Sequence, residues 1–230
     1  TLPSSDDTDK KPQESWVIGP FLRPEGVNPV LVPQPTSFHC PMRKEQVKWE
    51  ESDVFNPAAT VKDGKIVVLY RAEDNSAQGI GKRTSRIGYA ESADGVTMKR
   101  LDSPVLFPGG DEFESIECPG GCEDPRVAMT EDGLYVMLYT AWNRKTPRLA
   151  VATSKDLKNW TKHGLAFEKA YDGRFARIAT KSASILTKVK GGKLVIDKVD
   201  GKYFMYWGEY AVHAATSDNL TDWYPVDRKS

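Results

Sequence analysis

Two carboxylates interrupt otherwise apolar stretches of this chain: Asp124 in the run Glu123-Asp124-Pro125-Arg126, and Glu209 directly after Tyr206-Trp207-Gly208. Comparable polar residues stand at Asn56 in Asn56-Pro57-Ala58, Arg71 in Arg71-Ala72-Glu73-Asp74, Asn143 in Trp142-Asn143-Arg144 and Lys181 in Lys181-Ser182-Ala183. Together they offer carboxylates, a guanidinium, amides, an ammonium and aromatic faces. That assortment suits a polyhydroxylated ligand such as a sugar, with planar donors and acceptors for the hydroxyls and tryptophan for a ring face. A carboxylate closing an apolar strand is costly to bury unless paired, which marks Glu209 as a functional candidate. Asp124 before a proline fits a site or a simple turn cap, with Arg126 as a structural partner. Arg71 is open in the same way, as a site residue or as the partner of Glu73, Asp74 or Asp124. Lys181 taken alone is an ordinary surface lysine, and only its place beside Asn56 and Asp124 in the repeat raises it. His39, His163 and His213 share no spacing and have no cysteine nearby, so they read as surface or packing residues.

The elements that must position these residues repeat. An Asp-Gly pair followed by a β-branched and aromatic run occurs at Asp63-Gly64, Asp132-Gly133 and Asp200-Gly201, about 68 residues apart. A Ser/Asp element follows each copy, at Ser92-Ala93-Asp94, Ser154-Lys155-Asp156 and Ser217-Asp218, and Trp160 and Trp223 follow two of them. Each copy reads as an antiparallel meander: strand, Asp-Gly turn, strand, loop, third strand. No 3.6-residue apolar period is sustained, which excludes a helical solenoid. Repeats of this length with about four strands predict blades of a β-propeller. The start of strand one and the end of strand two share the end of the hairpin opposite its turn, and there the six polar positions collect. They differ from copy to copy while the framework does not.

Propellers have typically four to eight blades, and five of this size need on the order of 340 residues, so three blades predict a truncated ring. The reading is an all-β chain with residues 1–15 as a flexible linker and residues 16–230 as propeller. Residues 21–33, with Asn28-Pro29-Val30-Leu31-Val32-Pro33, are expected to supply a strand to a blade beyond Ser230.

Composition bounds the chemistry. Apolar residues make up 39%, charged residues 28% and aromatics 10%, which supports a real core and excludes disorder for the bulk. Thirty-two basic residues cancel thirty-two acidic ones, so no global field draws nucleic acid or acidic lipid. The charge-free run 134–142 is far short of the roughly 20 residues that span a bilayer. Cys40, Cys118 and Cys122 cannot all pair internally, and Cys118-Pro119-Gly120-Gly121-Cys122 lacks the second half of a zinc ligand set.

The motifs resemble glycoside hydrolase family 130. The resemblance is carried by Val54-Phe55-Asn56-Pro57-Ala58 leading to Leu69-Tyr70-Arg71-Ala72, and by Gly121-Cys122-Glu123-Asp124-Pro125-Arg126-Val127 leading to Tyr139-Thr140-Ala141. It continues through Ser154-Lys155-Asp156-Leu157-Lys158-Asn159-Trp160, Lys181-Ser182-Ala183-Ser184 and Asp200-Gly201-Lys202-Tyr203, covering about residues 21–226. It implies a five-bladed β-propeller acting on β-mannosides with inversion, as a phosphorylase or a hydrolase, with no metal or organic cofactor. It also implies Asp124 as proton donor, acting through a sugar hydroxyl, and Asn56, Arg71 and Lys181 as lining of the mannose subsites; Asn143 aligns more loosely.

Phosphorylases of the family share a His-Arg-Pro run and basic residues that hold phosphate. The segment Tyr206-Trp207-Gly208-Glu209-Tyr210 instead resembles the β-1,2-mannosidase branch, in which a pair of glutamates activates water. A carboxylate in a cleft repels phosphate and activates water, so Glu209 fits a base. The second glutamate of that pair has no counterpart before Ser230, and the 230 residues alone are expected not to turn substrate over. Removal of β-1,2-linked mannose is therefore the expected activity, with a β-mannoside phosphorylase and a non-catalytic carbohydrate-binding propeller as alternatives. A polar, proline-containing N-terminus and a mannan substrate point to an exported, periplasmic bacterial protein.

Overall fold

The structure is a computed structural model that describes residues 21–226, so the expected linker, residues 1–15, lies outside the described residues. The described residues are all-β apart from one short helix. A hairpin of β1 (Gln34–Cys40) and β2 (Glu45–Glu50) comes first. The first repeat follows as β3 (Asp53–Lys62), β4 (Lys65–Glu73), β5 (Ser85–Ser92) and β6 (Lys99–Arg100), paired antiparallel in that order. After α1 (Glu114–Glu117), the second repeat is β7 (Gly121–Met129), β8 (Tyr135–Trp142), β9 (Pro147–Ser154) and β10 (Thr161–Leu165).

The third repeat departs from the simple meander. Its first strand is split into β11 (Ser184–Ile185) and β14 (Lys198–Val199), because a hairpin of β12 (Thr187–Lys190) and β13 (Lys193–Ile196) loops out around Gly191 and Gly192. Both halves pair with β15 (Lys202–Trp207), and β16 (His213–Ser217) and β17 (Tyr224–Pro225) complete the sheet. The inserted hairpin touches the second repeat in parallel at Val195 and Met129. Among the described residues, 21–33 pair with none of these strands, and regular pairing starts at Gln34.

Alternation along the strands puts a core between successive sheets. On β8, Tyr135, Met137 and Tyr139 join Leu69, Ile87 and Tyr89 of the first sheet, while Val136 and Leu138 join Ile185, Met205 and Trp207 of the third. The β1–β2 hairpin packs Phe38, Val47 and Trp49 against Tyr70 on the first sheet's other face. The strand buried on both faces is also the continuous apolar run 134–142. At the first two junctions, hairpin to first sheet and first sheet to second, a tyrosine at the same repeat position donates to a buried glutamate held by a cation from the fourth strand; the third repeat has Trp207 at that position. Tyr70 donates to Glu50 at 2.8 Å, which Arg100 also reaches at 2.8 Å; Tyr139 donates to Glu117 at 2.7 Å, which Lys162 reaches at 2.5 Å.

The Ser/Asp element is a turn in which the serine hydroxyl accepts backbone N–H groups two and three residues on, as at Asp156 and Leu157. In the third copy the partner side chain is Asn219, not Asp218. Indole N–H groups of Trp160 and Trp223 close the same turn on the carbonyls of Leu157 and Leu220.

The first two sheets meet where Ser85 bridges Gly121 in parallel. Gly121 has φ +110°, and a Cβ there would stand 2.0 Å from the Ser85 carbonyl oxygen. In urea unfolding of the full-length protein, Gly121→Ala is expected to cost on the order of 3 kcal/mol. Gly133→Ala, at positive φ but in open space, should cost only about 1 kcal/mol. Equal losses would show that this close approach does not hold the sheets together.

Candidate active site

The first two repeats break their first strand at one place. The register shifts between Phe55 and Ala58 on β3 and between Glu123 and Arg126 on β7, so two residues face one across the hairpin. Such bulges bend the strand and re-aim a side chain. The bulged residues are Asn56 and Asp124, at φ 44° and 50°, and Ser182 occupies the same left-handed region at 57° before β11. Non-glycine residues pay for that conformation, Asn and Asp least. The structural equivalents are thus Asn56, Asp124 and Ser182. Lys181, expected at that position, lies one residue earlier, beside Phe55 and Glu123; its carbonyl accepts the Gly208 N–H at 3.0 Å, as Phe55 pairs with Arg71.

The first two bulges turn their side chains toward each other. Asn56 donates to Asp124 Oδ1 at 2.9 Å and Arg71 Nη1 donates to the same oxygen at 3.0 Å. Arg71 is 3% exposed, and its other two nitrogens are engaged as well. Nη2 reaches Glu73 Oε1 at 2.6 Å and Glu123 Oε1 at 2.8 Å, and Nε reaches Ser85 Oγ at 3.1 Å. The Phe55 ring lies under the guanidinium, 4.7 Å from ring centre to Cζ. Arg83 bridges Asp53 and stands 3.5 Å from Glu73 Oε2.

These contacts divide the carboxyls. Burial works to raise Asp124, but the Asn56 hydrogen bond and the Arg71 and Lys181 charges outweigh it and hold that group below the usual carboxylate range. Burial pushes Glu123 up to about 7, with Arg71 opposing and the Asp124 charge reinforcing the rise. Asp124 keeps an opening to solvent, its side chain 15% exposed, while Glu73 has none.

Glu209 is reached from the third sheet. The tight turn after β15 rests on Gly208, at φ +128°, where a Cβ would stand 2.0 Å from the Ala211 carbonyl oxygen. Beside this turn Glu209 borders a cavity of about 210 Å³ lined also by Lys181, Trp207, Tyr210 and His213. Its side chain is 49% exposed and stands 3.5 Å from Lys181 Nζ. Lys181 acts on Asp124 as well, so one ammonium lowers the charge cost of both carboxylates. The second sheet thus contributes Asp124, bound by the exposed Asn56 amide of the first sheet, and the third contributes Glu209 beside the half-buried Lys181.

A family profile described as beta-1,4-mannooligosaccharide phosphorylase matches residues 29–226. The chain belongs to glycoside hydrolase family 130. A curated 1,2-beta-oligomannan phosphorylase of Thermoanaerobacter sp. (strain X514) is 34% identical over 80% of this chain and 55% of its own length. A candidate glycoside hydrolase from Bacteroides ovatus, of known structure, is 78% identical with a TM-score of 0.88, over 93% of this chain and 61% of its own. Another solved structure, 60% identical with a TM-score of 0.91, covers 94% of this chain and 60% of its own. It is described with the statement that this family of mannoside phosphorylases contains glycoside hydrolases that target β-1,2 mannosidic linkages in Candida mannan. The chain therefore spans little more than half the length of the curated relative and about three fifths of the solved ones.

Within this family 130 chain, not every expected residue joins the cluster. Asn143 spends its amide on backbone: Nδ2 donates to the Ser115 carbonyl at 3.0 Å, and Oδ1 accepts from the N–H groups of Lys145 and Thr146. Asp74 pairs with Arg86 at 2.9 Å, not with Arg71. Arg126, weighed as a partner for Asp124, donates to the Pro125 carbonyl instead. His39 and His163 are exposed, and His213 packs on the Trp207 ring. Sequence reasoning assigned nothing to Glu123 or Ser85. Glu123 was adjacent to Asp124, but Ser85 opens β5 in a place with no repeat signal.

The Arg71→Met variant strands three carboxylates that share one guanidinium. It is expected to lose about 3–5 kcal/mol in urea unfolding of the full-length protein. The loss should be larger at pH 8 than at pH 5, because burial keeps Glu123 protonated at the lower pH. A loss independent of pH would contradict the charge-pairing role.

Proposed function

We propose that this chain is part of a five-bladed β-propeller that hydrolyses β-1,2-linked mannose from manno-oligosaccharides with inversion. Asp124 delivers the proton to the glycosidic oxygen through a sugar hydroxyl, and Glu209 is a base on the attacking water. Three successive four-stranded sheets packed face to face support the propeller. Asn56, Arg71 and Lys181 contribute to the sugar subsites, Asn56 and Lys181 by direct contact and Arg71 through Asp124. Asn143 belongs to this reading only as the residue that anchors the rim turn to the α1 segment. An exported, periplasmic location accompanies a mannan substrate.

The observation that carries the reading is the placement of Asp124 on a left-handed bulge, accepting from Asn56 and Arg71, with the charge of Lys181 acting on both it and Glu209. Strained backbone concentrates where a side chain must be aimed. Inverting glycosidases need two carboxyl groups about 6.5–9.5 Å apart, with a water beneath the anomeric carbon. Hydrolysis is preferred over phosphorolysis because a carboxylate, Glu209, lines the cavity it shares with Lys181 and would repel an attacking anion entering it. The greater identity to the relative whose description speaks of hydrolases, 60% against 34% for the curated phosphorylase, points the same way. Phosphorolysis is the second reading, favoured by the profile's description and by that curated relative.

Incubating the full-length protein with β-1,2-mannobiose, with and without inorganic phosphate, separates the two. Hydrolysis gives free mannose at a rate indifferent to phosphate, and phosphate-dependent mannose 1-phosphate would reject it. Asp124→Asn and Glu209→Gln are each expected to lower kcat at least about 100-fold. Retained sugar binding with no turnover by the unmutated protein would instead identify a carbohydrate-binding propeller.

A further inference from the structure

Ser85 Oγ meets three polar partners in a place closed to water. Arg71 Nε donates to it at 3.1 Å, and Glu73 Oε1 and Glu123 Oε1 each stand 3.1 Å away. Ser85 and Glu73 are fully buried, and Glu123 is 7% exposed. A hydroxyl has one proton to give and two lone pairs that accept. Arg71 fills one lone pair, and one carboxylate takes the proton. The other carboxyl oxygen then faces the second lone pair, a contact that attracts only if that carboxyl carries a proton and donates it. The same two oxygens also meet on Arg71 Nη2, at 2.6 Å for Glu73 and 2.8 Å for Glu123.

The surrounding charges leave this pair under-neutralised. Arg71, on β4, also holds Asp124 of β7 through Nη1. Arg83, on the loop before β5, is divided between Asp53 of β3 and the far oxygen of Glu73, 3.5 Å away. That far oxygen is buried and receives no hydrogen bond among the described residues. Two guanidiniums thus stand among four carboxyls, and Lys181 acts on Asp124 from the third sheet. Close like charges in a buried site are relieved when one group keeps a proton. Burial works in the same direction on Glu123, against the charge of Arg71.

We propose that Glu73 and Glu123 hold one proton between them at neutral pH, as an acid–carboxylate pair joined through the Ser85 hydroxyl, and that this proton ties the first sheet to the second. The inference goes beyond the glycosidase reading and does not depend on it. Glu73 and Ser85 belong to the first sheet and Glu123 to the second, and they meet beside the Ser85–Gly121 bridge. The proton turns a repulsion across that junction into a hydrogen bond. As pH rises the acid O–H bond breaks and its proton passes to solvent, leaving two carboxylates to face one hydroxyl proton. The two carboxyls titrate as a unit.

Infrared titration of the full-length protein, with Glu73→Gln and Glu123→Gln beside it, tests this. The wild-type protein should show a neutral-carboxyl band at pH 6, where ordinary carboxyls, with values of about 4, are ionised, and lose it as pH rises to 8.5. Either variant should lack this component at pH 6, because an amide N–H replaces the acid O–H and the remaining carboxyl ionises. Any band from the buried Glu117 is common to all three proteins and cancels in the difference. Wild-type and variant spectra that superpose at pH 6 would overturn the proposal. So would a band that survives in Glu73→Gln, since burial of Glu123 alone would then hold the proton.

Unfolding gives an independent readout. An acid held above its ordinary range in the folded protein releases its proton on unfolding, so stability falls as pH rises through the folded value. Urea unfolding at pH 6 should release about one proton more from the wild-type protein than from either variant, and the fall in Tm between pH 6 and 8.5 should shrink in both. Equal release from all three would contradict the pair. Should the glutamine variants not fold, Ser85→Ala decides: it removes the acceptor of the acid O–H, so the wild-type neutral-carboxyl band should shift, and an unmoved band would overturn the proposal. None of these readouts involves turnover, so a failure to cleave mannobiose would count against the glycosidase reading alone.

Discussion

A guanidinium taken out of water between two sheets is tolerable only if its nitrogens find acceptors, and all three nitrogens of Arg71 do so, from both sides. Glu73 and Ser85 reach it from its own sheet, Glu123 and Asp124 from the next, with Phe55 beneath its face. Arg71 therefore does two things at once. It joins the first and second sheets near the Ser85–Gly121 contact, and it fixes the ionisation of the carboxyls around it. A lysine at this position would supply the charge without the planar fork.

The structure separates what repeats from what does not, and the boundary is physical. Asp-Gly turns, serine-capped turns and tyrosine–glutamate–cation contacts recur because each sheet must turn, stop and bury a face in the same way. The bulge recurs too, as backbone geometry, but its side chain does not: amide, carboxylate, hydroxyl. One scaffold thus presents different chemistry from successive positions around a shared end. The third sheet contributes Lys181 and Glu209, which are more exposed and more loosely tied than the Arg71 cluster.

Much of this was legible in the sequence because turns announce themselves. The Asp-Gly spacing gave the hairpins, and interruption of apolar runs gave Asn56, Arg71, Asp124 and Glu209. What escaped had no such mark. The β12–β13 hairpin turns at Gly191 and Gly192 inside a strand that continues on either side, so spacing counted it as part of one blade. Alignment by motif placed Lys181 beside Asp124, whereas φ angles and register place Ser182 there, a distinction of one residue that only a backbone reveals. Asn143 looked like a site amide because it ends strand two, but a short turn claims both ends of its amide. Glu123 was hidden by its neighbour, since nothing in a sequence tells which of two adjacent acids is buried against an arginine.

The account stands on Asp124 and Glu209 meeting one sugar. The most direct measurement is a crystal structure of the full-length Asp124→Asn protein with β-1,2-mannobiose bound. The account predicts a hydroxyl of the terminal mannose hydrogen-bonded to residue 124 and a water between Glu209 and the opposite face of the anomeric carbon. A disaccharide bound away from residue 124, or Glu209 facing the same side of the ring as residue 124, would contradict it.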